Sequence, residues 1–586
     1  MYCKNLAIWG HWKPMRAQGI RRRAVVPLMV LGLLFGSAPL SEATYHDTEE
    51  QMTAKPDSLA NIRRYISEGW DRLTRSLTDC RTYEDVKTKG EPVVYLPAGL
   101  PDPPVLEELQ KRCKVRVENL PERITLGGDV DMSKIPTEGL LYLENPYVVP
   151  GGQFNEMYGW DSYFIILGLL RDHREKLAKG MVENFFFEIE HYGDVLNANR
   201  TYYLTRSQPP FLSSMILAVY DADKARGAQD RQWLEKAYGY AVRDYQQWVE
   251  PPHLAGDTGL SRYFGHGDGP VPEIVGGPSN YYRGVAQFFF VHGGSNERYL
   301  IRVDSAPPST KILGKVFSLP SCEASPAGSK HADYHKVTRV ALTAEYYEGD
   351  RSMRESGFDV SFRFGPFSAD THHYAAVGLN SLLYKTEKDF ASMSELLGRR
   401  TDAAKWNEKA EERRALIDKY LWNAEAGLYF DYDFTTHTQS TYKYATTFYP
   451  LWAGLASQEQ AQAVMRNLSF FEQPGGIVMS GTESQAQWDF PYGWAPIQLL
   501  AVEGMRRYDY EADANRISYK FLSMVLENFE RTKTIREKYD VVTRTSKTHI
   551  VEGYKQNVIG FGWTNGVFLE LSQQLPDDLM ARLRKD

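Results

Sequence analysis

From about residue 155 onward, apolar residues recur at three- and four-residue spacing in one long segment after another, and this periodicity constrains the fold most. Asn155–Arg171, Glu175–His191, Pro210–Ala225, Gln232–Trp248, Thr371–Leu397 and Thr401–Trp422 carry it, and Gln458–Leu468, Ala495–Tyr508, Glu511–Phe529 and Thr564–Leu575 continue it. Such spacing puts apolar side chains on one face of a helix, which must be buried against a neighbour. Connections are short, and neither strand–helix alternation nor a Gly-rich dinucleotide turn interrupts them. The pattern predicts one all-α domain over residues 151–575 with no linker inside it. Paired helices on this scale suit an α/α toroid, although a solenoid or a bundle shows the same periodicity.

The flanks read differently. Residues 44–150 form an N-terminal arm with wrapping loops, Pro-rich at Pro101-Asp102-Pro103-Pro104, and residues 576–586 read as a tail. Residues 286–350, with Ala306-Pro307-Pro308 and the β-rich Tyr299-Leu300-Ile301-Arg302-Val303, stand out as an irregular or β insertion beside the active site. At the start, Arg21-Arg22-Arg23 precedes an apolar run over 24–35 and the small-residue site Ser41-Glu42-Ala43. That order reads as a cleavable signal peptide over residues 1–43 and predicts a periplasmic or secreted protein. The run falls short of the roughly 20 residues that span a bilayer, so no stable membrane insertion is expected after cleavage. Without the leader, Cys80, Cys113 and Cys322 remain; one internal disulfide can form, and Cys80–Cys113 is the more local pair. With 68 basic against 75 acidic residues and no long basic stripe, a nucleic-acid partner is not expected.

Chemistry concentrates in a few windows. Pro150-Gly151-Gly152-Gln153-Phe154-Asn155-Glu156-Met157-Tyr158-Gly159-Trp160-Asp161-Ser162-Tyr163 puts glycines, aromatics and carboxylates together. Flat rings suit the C–H faces of a sugar, and carboxylates accept from its hydroxyls. A companion, Gln487-Trp488-Asp489-Phe490-Pro491-Tyr492-Gly493-Trp494, follows far along the chain. Between them, Arg354-Glu355-Ser356-Gly357-Phe358-Asp359 sets an acid among aromatics that would raise its pKa and arginines that would lower it. Ile535-Arg536-Glu537-Lys538-Tyr539-Asp540-Val541 sets another acid between two cations. With so many acids in the chain, composition cannot choose a catalytic pair.

Taken together, these windows resemble the trehalases, inverting glycoside hydrolases that split α,α-trehalose into two glucoses. The resemblance runs from about Asn145 to Val567, interrupted at 286–350. It implies an (α/α)6 toroid, with Asp359 as general acid and Glu537 as the base that activates water. By the same carry-over Phe154, Trp160, Asp161, Asn197, Arg206 and Trp488 bind sugar. Glu273 in Pro270-Val271-Pro272-Glu273 and Glu552, fifteen residues after Glu537, are further binding acids. The family usually has Arg where this chain has Gln153, which trades a charged, forked donor for a neutral amide and predicts retuned sugar recognition. No zinc, nucleotide or phosphate-loop signature is present, so no cofactor is expected. Two other readings stay open: an inverting hydrolase of another small α-glucoside, and a non-catalytic disaccharide-binding protein.

Overall fold

Capping residues set the helix ends. Asp57 accepts from the Ala60 N–H at the first helix, Asp230 accepts from Trp233 N–H at 3.0 Å, and Ser457 closes a capping box with Gln460. Each satisfies backbone donors that a helix start leaves without partners. The computed structural model describes residues 57–84, 90–275, 280–323 and 334–585. The expected signal peptide over 1–43 lies outside them.

Twelve of the helices alternate between two layers. They run α1 (Ser58–Leu73), α2 (Asp161–Arg171), α3 (Glu175–His191), α4 (Leu212–Ala225), α5 (Arg231–Trp248) and α6 (Val377–Leu396). Then come α7 (Arg400–Tyr420), α8 (Tyr449–Ala453), α9 (Gln458–Arg466), α10 (Ala495–Arg507), α11 (Glu511–Thr532) and α12 (Gly562–Gln574). The even-numbered helices pack in a closed ring, each against the next, and α12 returns to α2. Among the odd-numbered ones, α3 packs on α2 and α4, α5 on α4 and α6, α7 on α6, and α11 on α10 and α12. Six outer helices around six inner ones make the (α/α)6 toroid.

The two layers are distinct in sequence. Outer α5 buries Trp233, Leu234, Ala237, Ala241, Tyr245 and Trp248, one stripe at helical spacing. Inner α6 buries every residue from Val377 to Tyr384, small polar ones included. A helix enclosed on all sides has no polar face to spare. Ring closure depends on glycine: a Cβ at Gly566 of α12 would lie 2.0 Å from the Phe164 carbonyl oxygen of α2. Only glycine permits that approach.

Several expectations need adjusting. The helix predicted from Asn155 begins at Asp161, because residues 155–160 form a loop that dips into the cavity described below. The wrapping loops of the arm contain a small parallel sheet, in which β1 (Val93–Leu96) pairs with β2 (Arg116–Asn119) and β3 (Leu140–Leu141). Its β1–β2 crossover is the helix Leu106–Cys113, whose last residue forms the disulfide to Cys80. Residues 577–585 are a helix resting on α11 and α1 where a tail was expected. In the expected insertion, β4 (Leu300–Arg302) pairs antiparallel with the end of β5 (Tyr334–Leu342), Leu300 opposite Leu342. Residues 319–338 fall outside the main compact unit, and their described ends are extended strands.

Candidate active site

A cavity of about 750 Å³ opens where the chain enters the N-terminal ends of the inner helices. Residues 150–161 lead into α2, 197–208 into α4, 357–359 toward α6, 487–494 into α10, and 537–563 into α12. Most of the wall is thus loop held at its end by a buried helix, with Arg354 and Glu273 reaching in from the helices Ala344–Glu355 and Pro272–Val275. Loops on a rigid frame are where binding residues concentrate.

Tryptophans make the apolar wall. The Trp160 ring lies 5.7 Å from Phe358, 5.9 Å from Trp488 and 5.6 Å from Trp563, centre to centre, and Trp488 stacks on Trp494 at 3.7 Å. Gly357 turns with φ +76°, and a Cβ there would come within 3.0 Å of the Trp160 indole. That glycine lets the turn lie flat on the indole and bring Asp359 to the cavity.

Asp359 faces two guanidinium groups. Arg354 Nη1 is 3.4 Å from its Oδ2 and 3.1 Å from the Tyr554 hydroxyl, while Asp350 anchors the rest of the Arg354 fork at 3.2–3.3 Å. Burial pushes the Asp359 carboxyl up; Arg354 and Arg206 pull it back, and it settles at about 6. Burial therefore wins over the arginines. Arg206 lies over the Tyr203 ring at 4.9 Å and bonds Glu273. For Glu273 burial also pushes up, but Arg206 and Arg354 outweigh it and hold the carboxyl below its ordinary value.

Glu537 sits in a different setting. Lys538 Nζ donates to its Oε2 at 3.1 Å and to Gln487 Oε1 at 2.8 Å, and Trp563 Nε1 fixes the Glu537 carbonyl at 3.1 Å. Gln487 in turn donates to the Asp359 carbonyl oxygen, so one amide ties the Asp359 and Glu537 segments together. Asp161, 4% exposed at the start of α2, has its carboxyl raised well above the usual range by burial, then by Glu537 and Asp359. The cavity can therefore hold a proton on one carboxyl while another accepts one.

Ten of the sequence-predicted site residues line this cavity: Asp359, Glu537, Gln153, Phe154, Trp160, Asp161, Asn197, Arg206, Glu273 and Trp488. Glu552 does not. Its backbone pairs with Gln485 and Gln487, bracing the strand that leads to Trp488. Sequence reasoning gave no site role to Arg354, Tyr158, Tyr203, Gln208 or Tyr554, all of which line the cavity. Gln208 accepts from the Trp160 N–H at 2.9 Å and so fixes the entry to α2. Arg354 and Tyr158 stand inside the windows quoted above; Tyr554 follows no motif, and only the return of the 547–560 loop brings it in.

The trehalase family model matches residues 42–274 and 296–575. The break at 275–295 overlaps the expected excursion over 286–350 only at its start. A cytosolic neutral trehalase of Emericella nidulans is 35% identical, over 89% of this chain and 73% of its own length. One of Saccharomyces cerevisiae is 35% identical, over 85% and 69%. The solved structure of neutral trehalase Nth1 from Saccharomyces cerevisiae superposes with a TM-score of 0.72 at 32% identity, covering 90% of this chain and 96% of that one. The cytosolic relatives overturn the expected export: a periplasmic or secreted location and a signal peptide rested only on charge and apolar patterning over residues 21–43, a short pattern with little specificity. Among the described residues no helix is long and apolar enough to cross a membrane. With the family model matched along both halves of the chain and the fold shared with a solved member, the chain belongs to the trehalase family.

Proposed function

We propose that this cavity hydrolyses α,α-trehalose to two glucose molecules by single displacement with inversion. The neutral trehalases near 35% identity support trehalose as the substrate. The chemistry rests on one observation: Asp359, with its carboxyl near 6, and Glu537, bonded to an ammonium, face the same cavity. Asp359 gives its proton to the bridging oxygen as the C1–O bond breaks. Glu537 takes a proton from water as the oxygen of that water bonds to C1 from the opposite face. One sugar leaves as α-glucose and the attacked one as β-glucose. Asp359 ends ionised and Glu537 protonated, and a proton exchange with solvent resets both.

The tryptophan wall packs against ring C–H faces, and Asn197, Asp161, Arg206 and Glu273 take hydroxyls. Gln153 offers a neutral donor and an acceptor at its place in the wall. NMR of the anomers during trehalose hydrolysis tests the reading. Equal α- and β-glucose at early times is the expected result; wholly α product would rule out inversion, and no glucose at all would remove trehalose as the substrate.

A further inference from the structure

Behind the cavity wall lies a second set of buried acids that takes no part in the chemistry above. Glu188 on α3 is fully buried, and its Oε2 accepts from the Leu196 backbone N–H at 3.0 Å. Asp244 on α5, 5% exposed, accepts from Gln247 Nε2 at 3.4 Å, and the Val195 backbone N–H lies near enough to pull its carboxyl down. Acids from two outer helices thus face consecutive peptide units, Glu188 bonding Leu196 and Asp244 lying beside Val195. The next residue is Asn197, whose side chain lines the cavity.

The rest of this short segment is clamped as well. Ser207 Oγ donates to the Val195 carbonyl at 2.5 Å, Asn197 N–H bonds the Arg206 carbonyl at 2.8 Å, and Gly159 N–H bonds the Asn197 carbonyl at 3.1 Å. Arg206 and Asn197 are therefore fixed through each other, and both depend on where residues 195–196 sit. No Lys or Arg contributes to either carboxyl. The charged groups turned toward them are each other and Asp194, which itself faces Glu355 and, through that, His253. A buried acid without a counter-charge is costly, and a surface loop could be held by neutral side chains at lower cost. What the Glu188 carboxyl provides in return is an acceptor for the buried Leu196 N–H, which would otherwise lack a partner.

We propose that Glu188 and Asp244 are positioning residues for sugar binding: they set the height of the 195–197 segment and so aim Asn197 and Arg206 at the substrate. The inference rests on the reading of Asn197 and Arg206 as sugar ligands. Burial, together with the neighbouring acid in the case of Glu188, pushes both carboxyls up, Asp244 to about 7. Near neutral pH the acid beside Val195 therefore passes between its charged and neutral forms.

The test uses the full chain and trehalose hydrolysis. Glu188→Ala and Asp244→Ala are expected to raise KM by about fivefold to tenfold with kcat changed less than about twofold, the size of one lost hydrogen bond. Glu188→Gln and Asp244→Asn keep an acceptor and are expected to bring KM back to within about twofold of the parent. In an Asn197→Ala background either alanine is expected to add less than about twofold, because the path to substrate is already cut. Additive losses in the double variants, or amide variants as impaired as the alanines, would overturn the proposal. Hydrogen exchange on the parent and the amide variants decides the matter even if the alanine variants do not fold. The Val195 and Leu196 amides should be protected, and exchange at open-loop rates would sink the idea. An Asn197→Ala protein with unchanged KM would strike the sugar-ligand assignment instead, leaving exchange to judge the hold on 195–196.

Discussion

Asp359 and the Glu188–Asp244 pair are buried acids in one molecule, and they are used in opposite ways. Asp359 opens onto the cavity and has Arg354 and Arg206 against it, so burial and positive charge nearly balance and the carboxyl lies near 6. Glu188 and Asp244 do not line the cavity, have no cation, and face backbone N–H groups, Glu188 Oε2 accepting from Leu196. A carboxyl that must trade protons needs opposing influences that leave both states within reach. One that must hold a loop needs only an acceptor. The difference predicts that replacing acid by amide destroys function in the first place and is tolerated in the second.

The largest effect should follow from that contrast at the cavity. Asp359→Asn and Glu537→Gln should each lower kcat by about 10²–10⁴-fold, since each removes a proton transfer while keeping shape. Steady-state rates with melting curves check this, and a parent-like kcat in either variant would erase the distinction. Next in size, Gln153→Arg should lower KM for trehalose by about tenfold, regaining a charge-assisted hydrogen bond. An unchanged or higher KM would mean the amide serves this cavity as well as a guanidinium.

The pH profile sharpens the comparison further. Asp359 is the proton donor, so kcat/KM should fall by about tenfold per unit as pH rises above about 6. A profile flat from pH 5 to 8 would take that role away from it. The smallest effect concerns stability. The Asp244 carboxyl is held near 7 in the fold against an ordinary value of 3.8, so the native state binds this proton more tightly. That contribution is fully present below about 3.8 and is lost as pH rises through 7. Asp244→Asn should therefore melt about one to three degrees above the parent at pH 8.5, with the advantage fading toward pH 4. Equal melting points at both ends would show that Asp244 carries no such penalty.

Much of the frame was legible because helical periodicity reports burial directly. Glu175–His191 was bounded correctly and α4, α5 and α7 within two residues, while α6 starts six residues after Thr371. Ring order was not legible, because Gly566 meeting Phe164 is a fact of close approach with no periodic trace. Cavity residues inside dense aromatic and acidic windows were found by their setting and by resemblance. Tyr554 was missed because a loop carries it, and Glu552 was misplaced because sequence distance from Glu537 does not say which way that loop turns. The fine balance at Asp359 was visible as a conflict between Phe358 and the arginines, but its outcome needed the depth of burial. The leader-like pattern over residues 21–43 misled because a dozen apolar residues after three arginines is a weak signal when nothing else supports it.

The contact between α2 and α12 joins residues about 400 positions apart and completes the ring. The hollow draws on residues from Glu138 to Trp563, so a ribosome must release nearly all of this span before any working pocket can exist. Until then each emerging hairpin of helices has a naked flank awaiting a neighbour not yet made. Synthesis should thus yield either a finished catalyst or an incomplete chain exposed to chaperones and proteases, with no half-active form in between.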